Sequence, residues 1–355
     1  MNELDLLLLV AAAAIPLNAL LAPAKLGRWL TVTMYTVQLG LLFALTPDDA
    51  IRSTISFVLL GNDVGWQLDA LGWFFSVVTV SAAGFSAAFA AGEWGETNAK
   101  QGLSLRWLYA GLQINVLAML LLLSSADFIS LFIGWELTSW SGLILMLLAG
   151  GQAIRAALRY IVYALAGGMA VFAGMLVTQA HVGSLQFAAL SAAAPNLPNT
   201  ALWSITLLFV LGFAVKMALL PFHLWQPPAY AYSPGPASAF LGSISARMGL
   251  FGIALVAIKL IGLGQLLTLS LWRDVVDLRD ILLWVAALTA ILPTYVAMRQ
   301  NDARLLLSWH GVGQGGYMLL GLMIADSLGN AGGLLHVFNY ASYQVILLLA
   351  VFAVI

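Results

Sequence analysis

The chain has 355 residues, of which 62% are hydrophobic and only 8% charged, with a formal net charge of -1 and no cysteine. A composition this apolar excludes an ordinary soluble globular protein and indicates a polytopic membrane protein. The near-zero charge gives no bulk attraction to nucleic acid. The lack of cysteine rules out disulfides, thiolate chemistry and Cys-ligated iron or zinc, so any redox centre belongs to a partner.

About 20 apolar residues cross a bilayer. By that measure the sequence predicts eleven transmembrane helices, at 5–22, 29–46, 69–91, 107–124, 127–149, 156–180, 202–220, 236–260, 279–298, 303–325 and 330–355. The runs do not alternate as barrel strands would, so the expected class is an all-α polytopic membrane protein forming a single membrane domain over 1–355. The amino terminus carries acids rather than a basic flank, so the first helix is expected to be retained rather than cleaved as a signal peptide. The 47–68 connection is read as an outer loop. Lys25, Arg28, Lys100, Arg106, Arg155, Arg159, Arg299 and Arg304 fall on one side of this arrangement, against Arg52, Lys259, Arg273 and Arg279 on the other. This bias puts the amino terminus outside a bacterial inner membrane.

The fifth predicted helix opens at Asp127 and carries Glu136, the one carboxylate deep inside an uninterrupted apolar run. At 1.5 Å per residue, Glu136 lies roughly 13 Å below Asp127, near the midplane. Lys216 lies at similar depth in the seventh helix. A charge at the bilayer centre costs about 2.5–3.5 kcal/mol on the insertion scale, which points to ion or proton handling. Pro221, Pro227 and Pro228 follow within a segment, 221–236, that holds five of the chain's eleven prolines. Proline removes a backbone donor and clashes with the preceding turn, so the seventh helix should break just after Lys216. Such breaks often line transport sites, though Pro221 can also simply end the helix ahead of a re-entrant loop.

Arg247 stands near the middle of the eighth helix and keeps its charge at any accessible pH. His310 and Gln314 share a face of the tenth helix, and His336, Asn339, Tyr340 and Gln344 form a polar stripe on the eleventh. Histidine titrates near neutral pH, so these side chains can hold a water chain. Each has a plainer reading: a Glu–Lys pair can merely lock two helices, and a single histidine can be a packing residue. The glycines at 311, 313, 315 and 316 are read as close helix contacts.

Several motifs in fixed order resemble the antiporter-like, proton-translocating membrane subunits shared by respiratory complex I, multisubunit cation/proton antiporters and membrane-bound hydrogenases. The run Gly134-Trp-Glu-Leu-Thr-Ser139 is similar to the family's fifth helix, with its glutamate at Glu136. Lys216-Met-Ala-Leu-Leu-Pro-Phe-His-Leu-Trp-Gln-Pro-Pro-Ala229, followed by Pro234-Gly-Pro236, is similar to the broken seventh helix, with its lysine at Lys216. Asp302 to Tyr317 and Leu335 to Gln344 resemble the tenth and eleventh helices. The resemblance covers roughly 70–355.

This resemblance implies an inverted-repeat fold: helices 1–3 in 1–91, a first five-helix repeat in 107–260, and an incomplete second repeat in 279–355. It implies proton translocation through Glu136, Lys216, Arg247, His310 and His336, with Gln314, Asn339 and Gln344 on a polar axis. Two charges about 4 Å apart at an effective dielectric near 20 interact by roughly 4 kcal/mol, enough to switch a lysine's protonation. The implied partners are other membrane subunits, protons or sodium ions, and the lipid bilayer. NADH, flavin, iron–sulfur clusters and quinone would sit in partner subunits, so any NADH:quinone oxidoreductase activity would be that of a complex. Three departures stand out: Gln344 replaces a usual lysine, Arg247 replaces a usual lysine, and Pro228 replaces a usual acid. The chain also stops at Ile355 inside an apolar run, as a fragment or a shortened relative would. Alternative readings are a sodium/proton antiporter subunit, a membrane partner in inorganic-carbon uptake, and a non-conducting assembly subunit.

Overall fold

The computed structural model describes residues 2–45, 47, 49–59, 61–272, 276–324 and 326–355. The expected helix ends at 46 and 325, and the outer cation Arg273, lie outside the described residues. The chain begins with α1 (Glu3–Leu21) and α2 (Lys25–Ala44). Next come the strands β1 (Ile51–Leu59) and β2 (Asn62–Leu68), then α3 (Ala70–Ala91) and the short surface helix α4 (Glu93–Lys100). A block of long helices follows: α5 (Leu105–Leu123), α6 (Phe128–Leu147) and α7 (Gln152–Val182). After the short α8 (Phe187–Ala193) comes α9 (Asn199–Met217).

The chain then passes through α10 (Gln226–Ala231), α11 (Gly235–Phe240), α12 (Arg247–Ile253) and α13 (Leu263–Thr268). It closes with α14 (Leu278–Ala297), α15 (Ala303–Met323) and α16 (Ser327–Val354). A helix stands at each place the hydropathy pattern predicts. Nine described spans are long and apolar enough to cross a membrane. The chain is therefore an integral membrane protein. Lys25–Ala44 and Ala303–Met323 are of similar length but fall outside those nine.

Much of the chain's acid goes into starting helices. Asp69, Asp127, Asp277, Asp302 and Asp326 each accept from a backbone N–H of the first turn behind them. Such caps satisfy amides that a helix start leaves open. Asp127 is the fullest case: its carboxylate accepts from the amides of Gly65, Ile129 and Ser130 and from Ser130 Oγ, at 2.8–3.0 Å. Burial pushes its pKa up, while these hydrogen bonds oppose the shift.

The 47–68 stretch corrects the sequence reading. It holds an antiparallel hairpin pairing Ile51 with Leu68 and Leu59 with Asn62, turned at Gly61 with φ +78°. Its residues alternate too weakly to announce a strand, and tertiary ties hold it. Asp5 accepts from Ser53 Oγ and from the Thr54 amide, and Trp66 bridges to Ser125.

Helix contacts are built from aromatics and small residues, as expected where lipid removes much of the hydrophobic drive between helices. Between α6 and α9, Phe128 stacks on Phe209 at 4.6 Å, and Trp135 meets Phe213 edge-on at 5.1 Å. Such pairs contribute about 0.5–1.5 kcal/mol each beyond area burial. Gly249 of α12 lies against Phe213 and Met217 of α9, where a Cβ would stand 2.7 Å from the Met217 amide nitrogen. The crossing thus needs glycine at the point where α9 ends.

Candidate functional site

Helix α9 stops at Met217 because Ala218 takes the left-handed conformation, φ +57° and ψ +40°. Protein groups serve the backbone at this break. The Val215 carbonyl accepts from Trp225 Nε1 at 2.9 Å, and the Leu220 amide donates to Thr289 Oγ1 at 3.1 Å. Beyond the break, Phe222–Trp225 form one tight 3-10 turn, and Pro227 and Pro228 sit at the start of α10, where a missing N–H costs least. Pro221 is exposed, but Gln226, Pro227, Ala229, Tyr230 and Ala231 are buried. The seventh span is therefore a broken helix whose second half is enclosed by protein.

Lys216 falls in the last turn of α9, near the middle of the whole broken span, and is only 2% exposed. The negative end of the helix dipole favours a cation there. Its Nζ donates to Ser139 Oγ and to Tyr160 OH, both at 3.1 Å, and Tyr160 OH in turn donates to the Ser139 carbonyl at 3.2 Å. The ammonium also faces the Trp135 and Tyr160 rings, 5.7 and 5.5 Å from their centroids. On α5, Asn115 Nδ2 donates to Ser141 Oγ at 2.8 Å, and so extends the same polar region.

Glu136 lies one turn before Ser139 on α6 and is half-buried. Its Oε1 is shielded from solvent, rests over Gly168 of α7 and has no hydrogen-bond partner. The contact expected with Lys216 is not made. No ion pair among the described residues includes Glu136, Lys216 or Arg247. The two charges act on one another through space only, because Ser139 and Tyr160 draw the ammonium aside.

Arg247 opens α12 between two wide π-helical stretches, Leu241–Ser245 and Ala254–Ile261, near the middle of its span. It is 1% exposed. Nη2 donates to the Gly311 carbonyl at 2.7 Å, and the guanidinium lies over the Tyr340 ring, 4.3 Å from its centroid. Tyr340 OH donates to the Gly242 carbonyl at 2.7 Å.

The polar side chains of α15 and α16 pair across the two helices rather than along one face. His310 Nε2 is 3.2 Å from Tyr343 OH, and His336 Nε2 is 2.7 Å from Gln314 Oε1. Gln344 is buried and donates to the Leu307 carbonyl at 3.0 Å. Asn339 departs from the expected stripe, since it lies exposed on the outer side of α16. Gly313 and Gly316 pack against α14, whereas Gly311 and Gly315 make room for Tyr340 and Arg247.

Ser139, Tyr160, Gln226 and Tyr230 are parts of this site that the sequence reading missed. Tyr160 had no signal, because a tyrosine in an apolar helix is common and its partner is 56 residues away. Gln226 carried one: an amide side chain inside the proline-rich break. On the side carrying Lys25, Arg28, Lys100 and Arg304, a cavity of about 1250 Å³ opens among Glu93, Gln152, Tyr232, Ser233, Arg304 and neighbouring residues. It reaches the chain segment between α10 and α11.

The family model for the transmembrane domain of NADH:quinone oxidoreductase and Mrp antiporter subunits matches residues 125–355. NADH-quinone oxidoreductase subunit N of Desulforudis audaxviator (strain MP104C) is 28% identical over 268 residues, which is 75% of this chain and 51% of that protein. The chain thus spans about half the length of this curated relative. A chain of the membrane-bound sulfane sulfur reductase, an archaeal respiratory membrane complex, superposes with a TM-score of 0.87 over 100% of this chain and 57% of that one, at 24% identity. A chain of respiratory complex I from Thermus thermophilus gives a TM-score of 0.81 over 98% of this chain and 71% of that one, at 23% identity. These two likenesses establish the fold.

Proposed function

Because the chain belongs to the NADH:quinone oxidoreductase/Mrp antiporter transmembrane family, we propose that it is a proton-translocating membrane subunit of an energy-coupling complex of the NADH:quinone oxidoreductase type. The observation that carries this reading is the setting of Lys216. Its ammonium is buried at the middle of a broken helix and bonded to neutral hydroxyls, and on the helix that supplies Ser139 stands a carboxylate, Glu136, whose Oε1 is buried without a hydrogen-bond partner.

The proton enters from the cavity beside Tyr232 and Ser233 and occupies Lys216. Its release is governed by how strongly Glu136 attracts the ammonium. Moving Lys216 from the Ser139–Tyr160 cradle toward Glu136 strengthens that attraction, and returning it weakens the hold. Onward passage uses Tyr160, Tyr230 and the paired side chains His310–Tyr343 and His336–Gln314, in the fixed field of Arg247. Two inverted repeats, the first over 107–260 and a partial second over 279–355, frame this path within one membrane domain. All eleven helices cross the membrane in this reading, with the amino terminus outside a bacterial inner membrane, which the concentration of Lys and Arg at the opposite ends supports. Partner subunits carry the NADH, flavin, iron–sulfur and quinone chemistry, and any oxidoreductase activity is that of the assembly.

In sealed vesicles holding the intact complex, Glu136→Gln and Lys216→Ala should each abolish coupled proton movement while the complex stays assembled. Unchanged pumping by either variant overturns the assignment. The family model also covers Mrp antiporter subunits, which supports a second reading as a sodium/proton antiporter subunit. Sodium-dependent proton exchange in the same vesicles separates the two.

A further inference from the structure

Arg247 is a permanent cation at the centre of the membrane domain, and no ion pair among the described residues supplies it with a counter-charge. A guanidinium cannot shed its proton to escape burial, so it requires an anion or a full set of acceptors. Of its donors, only Nη2 has a partner, the Gly311 carbonyl; Nε and Nη1 are buried without one. Two neighbours share this excess. Gln226 and Tyr230 lie one turn apart on α10, are 0% and 1% exposed, and leave the Gln226 amide and the Tyr230 hydroxyl unpartnered. Gln226 Nε2 and Tyr340 OH both crowd the space over Gly311, Arg247 Nη1 lies over Gly315, and the Tyr230 ring lies over Gly242, whose carbonyl accepts from Tyr340 OH. The Tyr340 ring covers the face of the guanidinium, so approach is open along its N–H edge. Several donors therefore converge on a small volume that holds net positive charge.

We propose that Arg247, Gln226 and Tyr230 bind one small monovalent anion of the halide class in the middle of the membrane domain. Water would satisfy the donors but leave the charge, whereas a monatomic anion does both. Glycine at 311 and 315 provides the room, and Tyr340, by covering the guanidinium face, leaves the N–H edge as the side on which the ion sits. An Arg–anion pair also removes the repulsion that a bare guanidinium would exert on a proton arriving at Lys216.

The test uses the full chain with its native membrane partners. Its thermal unfolding midpoint is measured in sodium chloride and in sodium gluconate at equal ionic strength. The wild type should gain ~3 °C or more between ~1 and ~100 mM chloride, and bromide should give an anomalous-scattering peak at the edge of the Arg247 guanidinium. Arg247→Met should be insensitive to the choice of anion. Gln226→Leu and Tyr230→Phe keep the arginine and should each raise the chloride concentration for half effect ~5-fold or more. Equal wild-type midpoints in the two salts, or variants that respond like wild type, overturn the proposal. The readout is binding rather than transport, so its failure leaves the proton-transfer reading standing.

Discussion

Lys216 and Arg247 are both cations buried at the middle of broken or distorted helices, and they face opposite chemical prospects. Lys216 gives two of its three donors to the hydroxyls of Ser139 and Tyr160, with Glu136 one turn before Ser139 on the same helix. Arg247 gives Nη2 to a backbone carbonyl and keeps its charge whatever the pH. In the proposed reading the first region carries the moving proton, while the second sets a constant field. The same contrast holds for two acids on α6. Asp127 is saturated by four donors and fixes the helix start, whereas Glu136, nine residues on, has an oxygen with none. The two acids thus differ less in burial than in the number of their partners.

The distinction breaks most sharply in transport. Lys216→Met is expected to lower coupled proton movement ~10²-fold or more, while Arg247→Met costs about 10-fold; equal losses in vesicle assays would erase the difference between the two cations. Next in size, Gly249→Ala drives a Cβ to 2.7 Å from the Met217 amide nitrogen and should cost about 1–3 kcal/mol, read as a lower unfolding midpoint. Tyr160→Phe removes an acceptor from Lys216 and should cost about 1–2 kcal/mol, more than Tyr343→Phe, which releases only His310. A reversed order would place the tighter cradle in the second region.

The smallest effect lies at the surface. The Arg304 guanidinium, 2.8 Å away, holds the Asp302 carboxyl below its usual range. A depressed carboxylate stabilises the fold above its unfolded-state pKa, and that contribution is lost as pH falls through the folded-state value. For so exposed a pair it is about 0.5 kcal/mol or less, so Asp302→Asn should shift the midpoint slightly at neutral pH and by less as the pH falls below the ordinary carboxylate range.

Some of this was written in the sequence. Apolar run length placed helices at every expected position, because lipid forces each span to satisfy its own backbone. Isolated charges marked Glu136, Lys216 and Arg247, since lipid tolerates so few. The prolines after Lys216 foretold the break, as a missing N–H ends a helix through local chemistry alone. The hairpin at Ile51–Leu68 was not legible: its stability comes from Asp5 and Ser125, far off in sequence. Nor was the direction Lys216 takes, since an acid and a base at equal depth predict a pair while two neighbouring helices supply hydroxyls that draw the ammonium elsewhere. Asn339 shared a helical stripe with Tyr340 and Gln344, yet only packing decided that two of them turn inward and it does not. Sequence fixes what a single helix must do in lipid; which polar groups meet is settled by the crossings of several helices, where distances of 3 Å depend on residues scores of positions apart.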